Sequence, residues 1–363
     1  MAGPESAEFL QGKLPVSPPL NSLTDRNASQ QGLVTNDIRH ITPDSAVPSD
    51  EDEVVSPPAS SPSPGVPRLS VYSMLLNHSG RIVFDAIVFR GRNAGDEFYL
   101  ECDAEQASKL VRHLKLYRVR KKVDIEAMEQ TRTAVVFNSL AEDDRDTPTA
   151  QLEEPGSVFC DQKEGIVPGC DLEIASDGIL HTSDPRVPAL GHRILAAEDQ
   201  MPSVCASVGA TPCDDPAAFE RLRHRLGVFE GPSEMPAGKC LPLEYNADYM
   251  HGVSFHKGCY VGQELTARTH HTGVVRKRIM PLRLLDDRSA SDVNLESDVR
   301  NEEGKKIGRI RAWRGRSGLG LMRVSESLDA ESVLLGETCI VVSKPFWWPK
   351  EAPKKPAKKK DED

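Results

Sequence analysis

Short apolar runs, each bounded by turn-forming residues, recur along the chain and are typical of β-strands. Residues 71–76 and 81–90 form two such runs, and the intervening Asn-His-Ser-Gly at 77–80 predicts a hairpin turn. Further strands are predicted at 98–102, 119–125, 132–137, 172–174 and 193–196. This part of the chain is therefore expected to contain antiparallel sheet.

Two segments carry the signals of helices. Asp103 can cap a helix that runs to about Leu116 and buries Leu110, Val111 and Leu114. A second helix is predicted from about 216 to 226, with an aspartate before it and a proline in its first turn. The mixture of strands and helices favours an α+β fold.

The pattern changes after residue 273. Runs at 274–284, 306–313, 318–324 and 338–342 are separated by turn residues, as in a small β-barrel. Trp347 and Trp348 follow, and we expect them to fasten the end of the folded part onto the barrel or onto a seam between domains. Residues 350–363, rich in lysine, proline and acidic residues, are expected to be a disordered tail.

Two segments near the N-terminus, 13–30 and 42–68, are rich in proline, serine and polar residues. Such composition cannot bury enough apolar surface to offset the entropy lost on ordering, so both are predicted to be disordered insertions. Ordered structure is expected to begin near Leu69, and the acidic stretch at 140–155 is predicted to be a loop.

Composition narrows the class of protein. At 363 residues the chain can hold two or three domains, and no stretch approaches the roughly 18 apolar residues of a membrane span. A formal net charge of -10 argues against a general nucleic-acid binder. The eight cysteines include no C-x-x-C pair, which disfavours a zinc knuckle or a secreted disulfide framework and fits reduced intracellular thiols.

The most distinctive chemistry lies at 257–264, with the sequence K-G-C-Y-V-G-Q-E. Gly258 and Gly262 permit a tight turn and a close approach of another group, and a helix-forming run follows. A thiol such as Cys259, beside the Lys257 ammonium and near a helix N-terminus, is expected to lose its proton more readily than a free thiol. Cys259 is thus a candidate nucleophile or metal ligand; the alternative, which the local chemistry leaves open, is a buried structural cysteine.

The octet resembles the diagnostic motif of the YgfZ group, relatives of the glycine-cleavage T-protein (aminomethyltransferase). Three further blocks resemble the same family in the same order. They are F-L-Q-G and L-V-T-N-D at 9–12 and 33–37, which look like two halves of one segment, L-N-x-x-G-R-I at 76–82, and L-P-L-E-Y-N at 241–246. Several blocks in family order are far more specific than one motif.

The resemblance, which covers most of the chain from Leu69 to Trp348, implies a T-protein-like, three-lobed folate-binding fold. This fold is α+β, with antiparallel sheets and a C-terminal β-barrel. The folate-binding core would span 69–272, the barrel 273–345, and the Trp-Trp-Pro staple with its tail 346–363. Residues 1–68 would be an altered N-terminal segment, because 13–30 interrupts a family block and no basic, Ser-rich presequence precedes it.

The eukaryotic branch of this family is mitochondrial and serves late iron–sulfur protein assembly. The resemblance therefore implies a factor in the mitochondrial matrix that promotes maturation of 4Fe–4S proteins, together with A-type iron–sulfur carriers and client apoproteins. Cys259, with Lys257 beside it, would provide a thiolate to a transient cluster shared with the partner, or protect one, since thiolates are the usual cluster ligands. The alternative is a folate-dependent one-carbon transferase of the aminomethyl type.

The resemblance also implies a tetrahydrofolate site. In T-proteins a glutamate at the position of Glu244 holds the pterin, although such a carboxylate by itself is more often a helix cap or surface charge. The other implied folate contacts are Asp85, Tyr260, Gln263, Glu264 and Arg268. Aminomethyltransferases carry two adjacent acids where this chain has Phe84 and Asp85, which disfavours amine transfer but not folate binding. Asp85 could equally be a strand-edge charge that faces water.

Two groups of side chains leave more than one interpretation open. His270 and His271 are predicted to lie in a turn, where one of them could join Cys259 in a mixed Cys/His site, but neighbouring histidines point apart and are not expected to bind one metal together. Basic residues cluster at 276–278 and at Arg309, Arg311, Arg314 and Arg316, with Arg309 and Arg311 sharing a strand face. They form either a solvated surface or a site for a folate polyglutamate tail, an acidic partner or RNA phosphates.

Overall fold

The computed structural model describes residues 10, 70–91, 97–137, 179–213, 215–255, 257–285, 293–295 and 297–349. The two predicted insertions, the acidic loop at 140–155, the predicted strand at 172–174 and the tail from 350 onward lie outside these residues. Across the described ranges, every helix is too short or too polar to cross a membrane.

The described residues form two three-stranded sheets, a barrel and short helices. The first sheet contains β1 (Ser70–Leu76), β2 (Ile82–Arg90) and β3 (Phe98–Glu101), and the second β4 (Thr131–Val136), β5 (Leu180–Ser183) and β6 (His192–Ala197). The barrel contains β7 (Lys277–Leu284), β8 (Asp298–Asn301), β9 (Lys306–Arg314), β10 (Ser317–Arg323), β11 (Val333–Leu335) and β12 (Thr338–Val342). The helices are α1 (Ala107–Arg118), α2 (Met201–Ser207), α3 (Ala218–Leu226), α4 (Gly231–Glu234), α5 (Gln263–Thr272) and α6 (Val324–Asp329). The predicted α+β class is confirmed.

The first sheet is antiparallel, in the order β1-β2-β3, and a different hydrophobic core covers each face. Side chains alternate across a strand, so Tyr72 and Met74 face one core while Val71 and Leu75 face the other. The second core also contains Leu10, the one described residue before β1. The face that carries Tyr72 and Met74 borders the charged side chains described below.

The helix predicted after Asp103 is present. The Asp103 carboxylate accepts a hydrogen bond from the Glu105 backbone N–H at 2.9 Å, which caps a single 3-10 turn before α1. Leu110 and Leu114 are buried against the first sheet and Val111 is partly buried there, as the helical spacing predicts.

The strand predicted at 119–125 is wrong. The chain leaves α1 with Val119 in the left-handed region (φ 49°) and then forms only an isolated bridge at Asp124. Val123 and Ile125 are both buried in the core under the first sheet. They therefore reproduce the alternation of a strand, although the segment forms no strand ladder with the described residues.

The C-terminal barrel is confirmed, with the closed strand order β10-β7-β12-β11-β8-β9. Most of its core is formed by aliphatic and methionine side chains that point inward at alternate positions, such as Met280, Leu282 and Ile310. The sequence pattern missed β8 and β11, because strands of four and three residues are too short to show a period.

The barrel is joined to the rest of the chain by α3, which packs against β7, β9 and β10. The indole N–H of Trp347 donates to the Leu226 carbonyl at the end of α3 at 2.7 Å, and Trp348 is buried in the barrel core. The guanidinium carbon (Cζ) of Arg278 on β7 lies 3.8 Å from the centre of the Tyr249 ring, and the guanidinium donates two hydrogen bonds to Asp248. These contacts place β7 next to the segment 241–250.

Candidate functional site

The motif at 257–264 is held against the turn of the first hairpin. Gly262 has φ 80° and precedes α5, and a Cβ placed there would lie 2.5 Å from the Asn77 carbonyl oxygen and 3.0 Å from the Gly80 Cα. Only glycine allows this approach without strain. Gly258 has open space around it, so the close approach expected at both glycines occurs at Gly262 alone.

Cys259 is exposed in the turn that precedes α5, and its thiol is free. The side chains beside it are anchored, since Tyr260 is 7% exposed and its backbone N–H donates to the Gln263 side-chain oxygen at 3.2 Å. The Lys257 Nζ lies 5.4 Å from the centre of the Tyr260 ring, and burial lowers the pKa of Lys257 to about 8. The thiol is thus presented to solvent by a turn whose neighbouring residues are packed.

Glu244 lines a separate cavity of about 190 Å³, here called the Glu244 cavity. Burial raises the pKa of Glu244, and the charges of Lys277, Arg311 and Arg81 oppose that effect. The cavity combines this carboxylate with mainly apolar walls and a basic rim. Its lining residues are Leu241, Pro242, Leu243, Glu244, Leu265, Thr266, Thr269, Val274, Val275, Arg276 and Lys277.

Two groups have unused hydrogen-bonding capacity: Thr266 lines this cavity, and Arg311 lies outside its lining but acts on the Glu244 carboxylate through its charge. The Thr266 hydroxyl is buried and has no hydrogen-bond partner among the described residues, although such a group normally has one. Arg311 is the extra residue of a β-bulge, where Leu319 and Gly320 pair with Ala312 and Ile310, and its Nε is also buried without a partner in that part of the chain. A bulge changes the direction of a side chain, which separates Arg311 from the strand ladder.

The structure does not bring the other predicted folate contacts into this cavity. Tyr260 packs in the main core, and Gln263 caps the turn before α5. Glu264 and Arg268 are exposed on α5, whereas Leu265, Thr266 and Thr269 of the same helix line the cavity. These three residues were not predicted from the sequence; the available signal was their spacing on one face of the helix that follows the motif, with Thr269 three and four residues after Thr266 and Leu265.

Asp85 lies in a second cavity of about 320 Å³, here called the charged cavity. The idea that Asp85 faces water at a strand edge is wrong, because it is 6% exposed on the central strand β2. Burial, reinforced by the Glu230 charge, raises the pKa of Asp85 to about 6. The charged cavity is lined by Tyr72, Asp85, Ala86, Ile87, Glu101, Cys102, Asp103, Arg186, Arg193, Glu220, Arg223, Glu230, Gly231, Ser233, Glu234 and Arg314.

Phe84, which stands where aminomethyltransferases have their other acid, faces away from Asp85. Its ring packs edge-on against His113 of α1, with centroids 5.3 Å apart, in the second core. An acid at position 84 would therefore lie in that core rather than beside Asp85.

The turn predicted around His270 and His271 is wrong, because both belong to the last turn of α5. His270 stacks on Phe255 with ring centroids 3.5 Å apart, and His271 lies at 5.1 Å from His270. The helix-forming run after Gly262 therefore extends further than the sequence suggested. His270 is engaged in this ring stack, which ties the end of α5 to the segment before the motif.

The basic clusters are largely used in internal ion pairs. Arg278 pairs with Asp248, Arg309 with Asp298, and Arg314 with Glu220. Arg316 donates to the backbone carbonyls at 284 and 285. Arg276 and Lys277 remain at the rim of the Glu244 cavity.

Glu220, His224 and Glu234 place one ligand atom each within 4.8 Å of one another, as a metal site would. The Glu234 carboxylate, however, accepts hydrogen bonds from both terminal nitrogens of Arg223, from His224 and from the Glu230 backbone N–H. Glu220 is paired with Arg314. The cluster is therefore explained as an ion-paired network.

The barrel matches a known domain family, and most of the chain is similar to proteins of known name. Residues 276–350 match the family described as the CAF17 C-terminal beta-barrel domain. The chain is 34% identical over 297 residues to the human protein "Iron-sulfur cluster assembly factor IBA57, mitochondrial", covering 80% of this chain and 76% of the human protein. The mouse protein of the same name is 34% identical over 306 residues, covering 80% and 77% respectively.

Among solved structures, the glycine cleavage system aminomethyltransferase T from Bartonella henselae is similar to this chain. The TM-score is 0.60 at 16% sequence identity, over 95% of this chain and 82% of that protein. At an identity this low the similarity is evidence for the fold alone. The shared fold confirms the predicted T-protein-like architecture.

Proposed function

Since the chain belongs to the family of mitochondrial iron–sulfur cluster assembly factors that includes human and mouse IBA57, we propose that it promotes the maturation of 4Fe–4S proteins in the mitochondrial matrix. The transferred cluster is its cargo, and Cys259 is the residue that binds it. The observation that carries this proposal is the exposed thiol on a turn anchored to the first hairpin.

Cys259 is better placed for this role than the buried thiols. Burial raises the pKa of Cys102 to about 11 and also raises the pKa of Cys240, so both remain protonated near neutral pH. A partner can reach Cys259 directly. Its proton passes to solvent as its sulfur bonds to an iron of the incoming cluster and replaces one of the carrier's ligands, with no change in oxidation state.

One thiolate cannot complete the ligand set of a cluster, so the proposal requires a partner that supplies the other ligands. Around Cys259 and α5 the chain presents mainly basic side chains, at Lys257, Arg268, Arg276 and Lys277. Charge complementarity speeds the encounter with an acidic surface. We therefore propose A-type iron–sulfur carriers as donors and client apoproteins as acceptors, each docking through an acidic patch.

The Glu244 cavity fits a reduced folate. Glu244 can accept two N–H groups from the flat edge of a pterin, and the apolar walls suit the faces of the ring. The unpartnered Thr266 hydroxyl provides a further polar contact. Arg276 and Lys277 at the rim suit the carboxylates of the folate tail. When bound, tetrahydrofolate would supply a one-carbon carrier, but the assembly role does not depend on such turnover.

Glu244→Gln should weaken the binding of tetrahydrofolate by roughly ten- to a hundredfold. The reason is the loss of charge-assisted hydrogen bonds, which contribute about 1.5–3 kcal/mol. Thr266→Val, which removes only the hydroxyl, should weaken it less. Titration calorimetry on the full chain measures both. Glu264→Gln, on the exposed side of α5, should bind normally; an equal loss there would move the site from the cavity to the motif.

Cys259→Ser tests the assembly role. In cells that lack the protein, this variant should fail to restore protein lipoylation and aconitase activity, because a hydroxyl is a poor ligand for iron. Its fold should be unchanged, since the replaced thiol is exposed. Full rescue by Cys259→Ser would show that Cys259 does not ligate the cluster.

Two further variants separate the alternatives in the same cells. Cys339→Ser removes another exposed thiol, on β12 of the barrel, and should rescue fully. Asp85→Asn should also remain largely active if the protein is an assembly factor. A folate-dependent transferase would show the reverse, with Asp85→Asn inactive and Cys259→Ser active, because a carboxylate that holds the amine would matter more than the thiol.

A further inference from the structure

Helix α1 and the turn after it carry a dense group of basic side chains. Between residues 106 and 123 the sequence contains seven lysines and arginines, the first at Lys109 and the last at Lys122, and no aspartate or glutamate. The whole chain, by contrast, has a formal net charge of -10. The segment is therefore a local concentration of positive charge on an acidic protein.

The basic residues of α1 lie on its outer side. Leu110 and Leu114 of the helix are buried against the first sheet. Lys109, Arg112 and Leu116, spaced i, i+3 and i+7, share the opposite side and are exposed. The helix thus presents one face to the core and a basic face to solvent.

Several of these charges are not used inside the protein. Four exposed members of the group form no ion pair with the residues that the structure describes; they are Lys109, Arg112, Lys115 and Arg120. The basic residues of the barrel differ, since several of them pair with nearby acids. The charges on α1 are therefore available to a partner.

Two aliphatic side chains project from the same surface. Leu116 is 75% exposed, and Val119, the first residue after α1, is 81% exposed. Three residues apart at the end of a helix, they lie side by side. The helix dipole favours basic residues in the last turn of α1, but it gives no reason to leave apolar groups in water.

Val119 is held in a strained conformation. Its φ of 49° lies in the left-handed region, which a β-branched residue rarely adopts and where helix ends usually have glycine. Hydrogen bonds hold the turn in place: the Arg118 side chain donates to the Val123 carbonyl at 3.2 Å, and the Lys121 backbone N–H donates to the Arg118 carbonyl at 2.9 Å. The turn is therefore preformed, with the Val119 side chain on the outside.

We propose that this surface docks onto a lipid bilayer that contains anionic phospholipids. The surface, here called the α1 patch, consists of the basic residues from 109 to 122 together with Leu116 and Val119. Headgroup phosphates attract the lysines and arginines, and the aliphatic side chains enter the boundary between headgroups and acyl chains. Docking of this kind requires no helix that spans the membrane.

The composition of the α1 patch favours a lipid surface over RNA or an acidic protein. Single-stranded RNA is bound through exposed aromatic rings on which bases stack, but Tyr117 in this segment is partly buried. Duplex RNA is contacted mainly through phosphates and hydroxyls, which gives the aliphatic side chains no partner. Four of the seven basic residues are lysines, which are depleted in protein–protein interfaces.

The α1 patch borders the motif turn. His113 and Tyr117 of α1 line a small apolar gap together with Val261, two residues after Cys259. Docking through the α1 patch would therefore keep the Cys259 turn close to the bilayer. The inference does not depend on the role of Cys259, because the α1 patch acts through its own charges and apolar groups.

Flotation of the full chain with lipid vesicles tests the proposal. We expect the protein to float with vesicles of phosphatidylcholine and phosphatidylglycerol in a ratio of roughly 2:1, and not with phosphatidylcholine alone, because only the first carry a negative surface charge. Binding should weaken as salt is added, since salt screens exposed charges. Absence of binding to the anionic vesicles, or equal binding to the neutral ones, would overturn the proposal.

Charge variants locate the binding surface. Lys115→Gln combined with Arg120→Gln should weaken binding to the anionic vesicles by at least roughly tenfold, since each basic residue near such a surface contributes several-fold. Arg300→Gln combined with Lys305→Gln is the matched control, because it removes the same charge from exposed positions on the barrel. The control should change affinity by less than about twofold. Equal losses would mean that net charge alone drives binding, and the assignment to α1 would be wrong.

Apolar variants test the contact with the bilayer interior. Leu116→Gln and Val119→Gly should each weaken vesicle binding several-fold. Val119→Gly should not lower the stability of the protein, because glycine tolerates the left-handed conformation, so unfolding cannot explain its loss of binding. Unchanged vesicle binding in both variants would overturn the proposal. Binding of polyuridylate or polyglutamate without vesicle binding would instead assign the α1 patch to RNA or to an acidic protein.

Discussion

Asp85 shows what burial does to a single ionisable side chain. It is 6% exposed and its pKa is raised to about 6, chiefly by burial and then by the Glu230 charge, while the Gly231 N–H and Arg186 favour its charged form. The unfolded chain releases this proton near the usual pKa of about 3.9. Between these two values the folded state holds more protons, so the free energy of unfolding falls as pH rises towards 6.

Asp85→Asn should remove this pH dependence, because an amide does not titrate. The stability of the variant relative to the unsubstituted protein should therefore increase by about 2 kcal/mol as pH rises from about 4.5 to 7. Urea unfolding of both proteins across that range measures the difference, which should level off above the folded-state pKa. A difference that does not vary with pH would show that Asp85 has an ordinary pKa in the folded protein.

At the scale of the element, the first hairpin and the start of α5 form one unit. The Asn77 side-chain oxygen accepts the backbone N–H groups of Ser79 and Arg81, both at 3.0 Å, which fixes the turn. The same turn contacts Gly262 through the Asn77 backbone. The position of Cys259 therefore depends on a hairpin almost two hundred residues away in sequence.

Gly262→Ala should lower the free energy of unfolding by at least about 2 kcal/mol. A non-glycine residue at φ 80° costs roughly 1–2 kcal/mol, and its Cβ would also lie 2.5 Å from the Asn77 oxygen. Gly258→Ala is the matched control, since nothing lies within 4 Å of its Cβ, and it should change stability by less than about 0.5 kcal/mol. If a denaturant titration gave equal losses in the free energy of unfolding for the two variants, the motif would not pack against the hairpin.

At the scale of the whole molecule, buried ion pairs join the two sheets. Arg193 on β6 of the second sheet binds Glu101 on β3 of the first, and both Asp184 and Glu230. Such a network stabilises the relative placement of the sheets only while all its members are paired, because each charge is costly when left alone in the interior.

Arg193→Met should destabilise the protein by about 3–5 kcal/mol, since it leaves three acids near a buried site without this partner. Arg132→Met, on β4 of the same sheet, removes an ion pair with Glu198 whose two side chains are 50% and 64% exposed. It should cost less than about 1 kcal/mol. Thermal unfolding of both variants gives the comparison, and a loss of similar size in each would argue that the Arg193 network is screened by solvent.

Much of the architecture could be predicted because its determinants are local. The strands at 70–76 and 82–90, the helix capped by Asp103 and the four longer barrel strands, β7, β9, β10 and β12, all follow from residue patterns whose periods match their secondary structure. The predictions failed where a local pattern has more than one cause. Val123 and Ile125 alternate like strand residues, but burial under the first sheet produces that pattern. The histidines of α5 lie next to a glycine that suggests a turn, yet the helix continues to Thr272.

For the candidate site, the sequence by itself determined the residues of the motif and the family resemblance, and that resemblance predicted a role for Glu244. Only the tertiary structure decided that Glu244 and Asp85 line two different cavities, and that Thr266 rather than Glu264 faces the first of them. It also decided which arginines are engaged in ion pairs. The physical reason is that burial and pairing depend on contacts between residues far apart in sequence, such as Arg193 with Glu101, and no local pattern records those contacts.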